Sequence, residues 1–100
     1  MKSKRTRALE IPKKVKLIVY KRQEGKCLFC PSYITWNQCC CHVVSRAYSG
    51  LGIEQNIIGA CNRCHMLMDS TERKTMIPIA KDYLRSKYEN WTEESVKYRR

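Results

Sequence analysis

The first apolar residues of the chain repeat at the spacing of a helix. They are Ile11, Val15, Ile18 and Val19. Mostly basic residues separate them, so the segment would present one apolar face. Pro12 stands where the first turn of a helix tolerates proline, and Gly25 is a suitable C-terminal stop. The pattern predicts an amphipathic helix over residues 12–24.

The middle of the chain has the pattern of two short strands followed by a helix. A short apolar run at 39–44 is consistent with a strand, the turn signal Ser-Gly-Leu-Gly follows at 49–52, and an isoleucine pair at 57–58 indicates a second strand. A helix is predicted from about residue 62 to residue 70. The central order is therefore β–β–α.

Two more helices are predicted towards the C-terminus. Pro78 opens one helical pattern, and Thr92, followed by two glutamates, is a typical N-cap for a last short helix. One side of the first of these helices carries Ala80, Tyr83, Leu84, Lys87 and Tyr88. Together the elements predict a basic N-terminal arm at 1–10 and a single α+β domain at 11–100, with its core at 27–75.

Two Cys-x-x-Cys pairs flank the predicted strands. They are Cys27-Leu-Phe-Cys30 and Cys61-Asn-Arg-Cys64. Each pair puts two thiolates on one tight turn, and two pairs supply the four sulfurs of a tetrahedral Zn²⁺ site. The alternative, four buried and inert cysteines, does not explain the paired spacing. We expect a structural zinc ion that holds a thin core together.

The cysteine count and the N-terminus predict a cytoplasmic protein with reduced thiols. Seven cysteines, an odd number, do not suit a closed disulfide framework. The N-terminal residues are charged, and no apolar segment of the kind found in a signal peptide or a membrane span follows them.

Positive charge is large and concentrated near the N-terminus. The formal net charge is +11, and residues 1–26 hold ten Lys/Arg against two glutamates. The basic residues of the predicted arm are Lys2, Lys4, Arg5 and Arg7. A basic arm ahead of a compact module suits a polyanion, of which DNA or RNA is the first candidate. The alternative is a tail that only improves solubility.

Four polar residues of the central segment are candidates for chemistry. His42 has the side chain of a general base near neutral pH, although a lone histidine in an apolar strand is more often a core residue. His65 and Asp69 would share one helix face, where imidazole and carboxylate hold a divalent cation against a phosphate oxygen. Alternatively, His65 would be a neighbour of the zinc site or a helix cap, and Asp69 would be a solvated surface carboxylate. Arg46 would bind a phosphate or be an ordinary surface arginine.

Three segments, read in order, resemble the HNH endonuclease family. They are Cys41-His-Val-Val-Ser-Arg46 with the Gly-Leu-Gly turn after it, Asn56, and Cys61-Asn-Arg-Cys64-His65. The likeness is to the small HNH proteins of bacteriophages and prophages. It implies a zinc-stapled ββα-metal (His-Me finger) fold flanked by helices. It also implies cleavage of DNA that depends on a divalent cation and leaves 5′-phosphate and 3′-hydroxyl ends.

The resemblance also implies roles for individual residues. His42 would be the general base, and Asn56 would hold the loop that keeps this histidine in place. His65 and Asp69 would bind the catalytic cation, which is Mg²⁺, Mn²⁺ or Zn²⁺. Cys41 departs from the family, because many members have Asp or His there as a metal ligand. Either its thiolate binds the cation and favours softer ions, or the cation relies on the other two side chains and water.

The sequence therefore predicts an endonuclease that hydrolyses DNA phosphodiester bonds, by nicking or by double-strand cleavage. If the phage resemblance holds, its partners would include proteins of genome packaging or recombination, and its location would be the host cytoplasm. The alternative from a different class is a non-catalytic zinc-finger module that only binds nucleic acid. Such a module has no need of His42, His65 and Asp69. A protein-interaction adaptor fits the charge poorly.

Overall fold

Four helices surround a two-stranded antiparallel sheet in residues 2–99, the part of the chain that our computed structural model describes. The elements are α1 Lys4–Leu9, α2 Lys13–Arg22, β1 Cys41–His42, β2 Ile57–Ile58, α3 Asn62–Met68 and α4 Arg73–Lys87, with 3₁₀ turns at Trp36–Gln38, Arg46–Tyr48 and Glu94–Val96. The predicted α+β class is confirmed. Met1 and Arg100, the outer ends of the predicted arm and domain, lie outside the described residues. No helix within 2–99 has the length and apolar character needed to cross a membrane.

Helix α2 confirms the predicted amphipathic helix, and local chemistry explains its ends. Pro12 is its N-cap and not its first helical residue, and the proline carbonyl accepts hydrogen bonds from amides of the first turn. The chain leaves the helix through Gly25, whose φ of +71° has no steric cost for glycine. Val15 and Val19 are buried, whereas Ile18 is 41% exposed. The buried face is therefore narrower than predicted.

Strands β1 and β2 form the sheet that carries one half of the candidate site. Their register pairs Cys41 with Ile58 and His42 with Ile57. The loop between them, residues 43–56, contains the predicted turn within a longer path. There Ser49 has a left-handed φ of 66°. A Cβ at Gly50 would lie 1.7 Å from the carbonyl oxygen of Val44, so only glycine permits this close approach of the backbone.

Helix α4 begins at Arg73, so the predicted start at Pro78 is wrong. Pro78 is exposed inside the helix and removes one backbone hydrogen bond there. Met76 and Ile77, in the turn before the proline, are both buried in the core. Their burial explains why the helix continues upstream, because packing of an apolar face outweighs the local preference of a single residue.

The N-terminal segment, predicted as an arm, is docked on the rest of the protein. Ser3 caps α1 by accepting a hydrogen bond from the Thr6 amide at 3.1 Å. Leu9 is buried, and the Ala8 carbonyl accepts a hydrogen bond from the Gly52 amide at 2.9 Å. Helix α1 therefore packs against the loop that joins the two strands.

Candidate metal centre and catalytic cavity

The two cysteine pairs come together, as predicted. The Sγ atoms of Cys27, Cys30, Cys61 and Cys64 all lie within 4.8 Å of one another. Tetrahedral Zn–S bonds of about 2.3 Å would hold the sulfurs about 3.8 Å apart, and Cys30 and Cys61 are separated by 3.7 Å. Four thiol donors at this spacing fit a zinc site. Within residues 2–99 this is the one group of three or more potential ligands with donor atoms so close.

Backbone geometry brings the cysteines into place and ties them to the candidate site. The Cys27 thiol accepts a hydrogen bond from the Phe29 amide at 3.4 Å, which closes a tight turn. Hydrogen bonds from Ser32 lower the pKa of Cys30 to about 6 and so favour the thiolate that binds metal. Cys61 is the N-cap of α3. The cluster therefore anchors the helix that carries His65.

Helix α3 and its C-cap present an imidazole and a carboxylate one turn apart. His65 Nε2 lies 3.1 Å from Asp69 Oδ2. Donors at right angles on a cation about 2.1 Å away would stand about 3.0 Å apart, so the pair fits a shared ion. The Cys40 thiol beside His65 raises the pKa of the imidazole, against the effect of burial, and Asp69 raises it further. The two side chains that the sequence predicts on one helix face therefore lie side by side.

His42 is held by a backbone carbonyl. Its Nε2 lies 2.8 Å from the carbonyl oxygen of Leu9. A carbonyl can only accept, so Nε2 carries the proton and Nδ1 keeps a free lone pair. Burial lowers the pKa of His42, and the positive charge of Arg46 lowers it further, while the hydrogen bond to Leu9 opposes both. The ring is therefore neutral near pH 7 and has a nitrogen able to accept a proton.

Asn56 is fully buried and fastens the loop that follows His42. Its Oδ1 accepts a hydrogen bond from the Val44 amide at 2.8 Å. Its Nδ2 donates to the carbonyls of Val44 at 3.0 Å and Leu51 at 2.9 Å. These bonds join both ends of the loop to one side chain. A short apolar residue at this position would leave those backbone groups buried without partners.

One cavity of about 480 Å³ brings the candidates together. Its lining residues are Cys40, His42, Ser45, Arg46, Ala47, His65, Asp69 and Arg73. Four of them, His42, Arg46, His65 and Asp69, are predicted site residues. They lie together although the inter-strand loop and β2 separate β1 from α3 in the sequence. An adjoining cavity of about 450 Å³ shares Cys40, His42 and Arg46 and extends towards Lys16. The combined wall therefore carries imidazole, carboxylate, thiol and guanidinium groups within one space.

Two residues of this wall, Cys40 and Arg73, carry no role in the sequence-based prediction. Cys41, the predicted sulfur ligand, is fully buried and is not among the residues that line the cavity. Cys40 lies immediately before β1 and two positions before His42, and both residues line the cavity. Arg73 continues the four-residue spacing of His65 and Asp69 beyond the end of α3. Both spacings are visible in the sequence.

The basic residues of the N-terminal segment differ in what they contact. Arg5 donates hydrogen bonds to the Arg46 carbonyl at 3.1 Å and to the Ser49 hydroxyl at 3.2 Å. Lys2 forms an ion pair with Glu10 and lowers the pKa of that carboxyl group. Lys4 and Arg7 are exposed. Arg5 thus contributes to docking of α1, and Lys4 and Arg7 present their charge to solvent.

No family model, curated protein or solved structure matches this chain. What the cavity does is accordingly inferred from its own residues and from the motif that they form.

Proposed function

We propose that this protein is a metal-dependent HNH endonuclease that hydrolyses DNA phosphodiester bonds and is stapled by a structural Zn²⁺. The observation that supports the proposal is a single cavity lined by His42, His65, Asp69, Arg46 and Arg73. Together these side chains offer a proton acceptor, a cation-binding pair and two guanidinium groups. A module that only binds nucleic acid needs the guanidinium groups alone.

In this proposal His42 takes the proton from the attacking water through Nδ1. Leu9 holds the ring through Nε2, and Asn56 fixes the backbone that follows the histidine. A positioned base of this kind contributes about 10²–10⁴-fold to the rate. Asn56 acts by positioning and does not exchange protons.

His65 and Asp69 would hold the catalytic cation, which is Mg²⁺, Mn²⁺ or Zn²⁺. When bound, the cation supplies neutralisation of the charge that develops on the phosphoryl oxygens and the departing 3′-oxygen. Arg46 and Arg73 approach from other parts of the wall and suit bidentate contacts to phosphate oxygens. These groups would contact the phosphates of the DNA backbone and not the bases, so we expect weak sequence preference for the isolated protein.

The biological setting belongs to the proposal as well. Seven unpaired cysteines, four of which form the four-sulfur cluster, suit a reducing compartment such as the cytoplasm. If the resemblance to phage proteins holds, packaging or recombination proteins would direct the cleavage, and the products would carry 5′-phosphate and 3′-hydroxyl ends.

Incubation with supercoiled plasmid tests the proposal. Wild-type protein, His42→Ala and the surface control Met66→Ala are compared in Mg²⁺, Mn²⁺, Zn²⁺ or EDTA. Met66 follows His65 in the sequence and is 71% exposed. Its thioether sulfur is a poor ligand for a hard cation such as Mg²⁺. We expect metal-dependent nicking or linearisation by the wild type and Met66→Ala, and a rate about 10²–10⁴-fold lower by His42→Ala. Plasmid binding without cleavage in any ion would favour the zinc-finger binding module.

A further inference from the structure

A second cavity, of about 260 Å³, adjoins the catalytic cavity and has no role in the proposed reaction. Ser45 and Arg73 line both spaces, so the two cavities meet at these residues. Buried Val43, Val44 and Ile77 contribute the apolar part of the lining of this flanking cavity. Its volume is below the roughly 300–1,000 Å³ of pockets that enclose a whole ligand. The flanking cavity therefore suits one part of a longer molecule that also occupies the catalytic cavity.

The lining of the flanking cavity has more positive than negative groups. Arg73, Lys81 and Lys97 line it, against one carboxylate, that of Glu93. Lys81 forms an ion pair with Glu93, and Lys97 pairs at 2.9 Å with Glu94, which is not part of the lining. Within residues 2–99, Arg73 belongs to no ion pair. A positive lining that continues from the catalytic cavity suits the phosphates of a nucleic-acid strand.

The C-terminal segment brings Lys97 to the flanking cavity. Lys97 forms an antiparallel bridge with Gly50, and the Tyr98 amide donates a hydrogen bond to the Ser49 carbonyl at 2.8 Å. The segment thus lies along the inter-strand loop, which also carries Tyr48. Residues from two distant parts of the chain therefore meet at one cavity.

Tyr48 adds an exposed aromatic ring to the flanking cavity. The residue is 68% exposed and belongs to the lining. Its backbone is fixed in a tight turn, because the Tyr48 amide donates to the Ser45 carbonyl at 3.0 Å and the Ser49 amide donates to the Arg46 carbonyl at 3.0 Å. A tyrosine side chain has two χ angles, so it offers a large contact area at a low cost in conformational entropy. The ring is therefore available to stack on a flat ligand.

We propose that the flanking cavity binds an unpaired nucleotide next to the cleaved bond, with Tyr48 stacked on its base and Arg73 and Lys97 on its phosphates. The substrate class is then DNA with a single-stranded stretch at the cleavage site, such as a flap or a fork. In a duplex each base is already stacked and paired, and its face is closed to a tyrosine. A basic groove with a stacking aromatic ring is the arrangement that binds single strands. The assignment rests on the proposed function for the position of the cleaved bond.

Binding of fluorescein-labelled DNA to the zinc-loaded protein tests the assignment. Fluorescence anisotropy is measured on a single strand and on the duplex of the same sequence, with no catalytic cation added, so that no DNA is cut. Tyr48→Ala should weaken binding of the single strand about 5- to 150-fold and that of the duplex less than about twofold, because it removes one base–aromatic stack. Tyr48→Phe keeps the ring and should keep the affinity. Loss in Tyr48→Phe equal to that in Tyr48→Ala would overturn the stacking role.

Tyr33→Ala is the matched control. Tyr33 is 78% exposed, and the Lys26 amino nitrogen lies 5.8 Å from the centre of its ring, yet it lines neither of the two cavities. This variant should keep both affinities. Equal losses in Tyr33→Ala and Tyr48→Ala would overturn the assignment, as would a Tyr48→Ala variant that loses single strand and duplex alike.

Lys97→Ala tests the phosphate contact separately. It should reduce the salt slope of single-strand binding by up to about 0.7, the value for one neutralised phosphate. An unchanged slope would remove Lys97 from the site.

These readouts separate the flanking cavity from the proposed nuclease activity. A protein that binds single strands through Tyr48 and cuts no DNA would retain the flanking cavity as a nucleotide site and lose the proposed function. A protein that cuts duplex and forked DNA at equal rates, with and without Tyr48→Ala, would retain the function and lose the assignment.

Discussion

In the proposed function, the hydrogen bond between His42 and Leu9 would prepare the histidine for chemistry. The carbonyl holds the ring proton on Nε2, so the lone pair of Nδ1 is free. Burial lowers the pKa of His42 and keeps the ring neutral at neutral pH. A histidine that merely filled the core would have no use for a free nitrogen beside an open cavity. The tautomer thus favours a base over a core residue.

The pKa of His42 leads to a prediction about pH. We expect the cleavage rate to rise with pH as His42 loses its proton, and to level off at lower pH than an ordinary histidine with a pKa near 6.5 would give. His42→Ala should lower the rate about 10²–10⁴-fold with zinc content and DNA affinity retained. Single-turnover rates over about pH 5 to 8 measure both effects. The same pH dependence in the variant would mean that another group is the base.

Arg73 provides a second prediction at this scale. Its guanidinium lines the cavity that also contains His42 and His65, and within residues 2–99 it belongs to none of the five ion pairs. Hydrogen bonds to a charged phosphate are worth about 1.5–3 kcal/mol, so Arg73→Ala should lower kcat/KM about 10- to 100-fold. Lys74→Ala, at the exposed next position of α4, should have little effect. Equal losses in the two variants would indicate a general charge effect.

At the scale of elements, helix α1 combines two features, a contact to His42 and a set of exposed basic side chains. Its last carbonyl contacts the His42 ring, while the side chains of Lys4 and Arg7 are exposed. Buried Leu9 and the hydrogen bond from Gly52 to Ala8 hold the helix in place. In the proposed function, helix α1 would therefore position the base as well as supply positive charge.

Two sets of substitutions separate these tasks. Leu9→Asp puts a charge in a buried site and should undock α1, which removes the acceptor of Nε2. We expect kcat to fall, with zinc retained and the His42 tautomer equilibrium shifted in ¹⁵N NMR spectra. Lys4→Ala with Arg7→Ala should leave the tautomer unchanged, weaken DNA binding and reduce its salt slope by up to about 0.9 for each phosphate that the variant no longer neutralises. A tautomer unaffected by Leu9→Asp would contradict the positioning role.

Elements with a strong local signal could be predicted from the sequence, whereas those formed by tertiary packing could not. Helix α2 has regular apolar spacing and a glycine stop, and the cysteine pairs have the spacing of zinc ligands. The start of α4 depends on burial of Ile77, which overrides the stop signal of Pro78. Helix α1 is stabilised by its packing against the distant inter-strand loop. In the cavity, the positions of His42 and His65 could be predicted from the motif. The exposure of Cys40 to the cavity could not, because it depends on how β1 lies against α3.

At the scale of the whole molecule, the cysteine cluster lies where three parts of the fold meet. One pair follows α2, the other begins α3, and the Leu28 amide donates to the carbonyl of Gly59 at 3.1 Å, which joins the first pair to the end of β2. The sheet has only two residues in each strand, so it contributes few hydrogen bonds of its own. A metal ion on the four sulfurs would therefore substitute for a large core in joining the two halves of the cavity.

Removal of the metal should consequently unfold the domain and not merely inactivate it. Binding free energy at four-sulfur sites is largely folding free energy, about 10–16 kcal/mol for zinc-finger peptides, which exceeds the usual stability of a small domain. We expect strong chelation or Cys61→Ser to abolish the helical circular dichroism signal together with zinc content. Cys39→Ala is the matched control, because Cys39 is buried outside the four-cysteine cluster and alanine adds no polar group to the core. This variant should keep its zinc and its fold. A Cys61→Ser protein that is folded and free of zinc would show that the small core suffices, and α3 would then hold His65 and Asp69 in place without the metal.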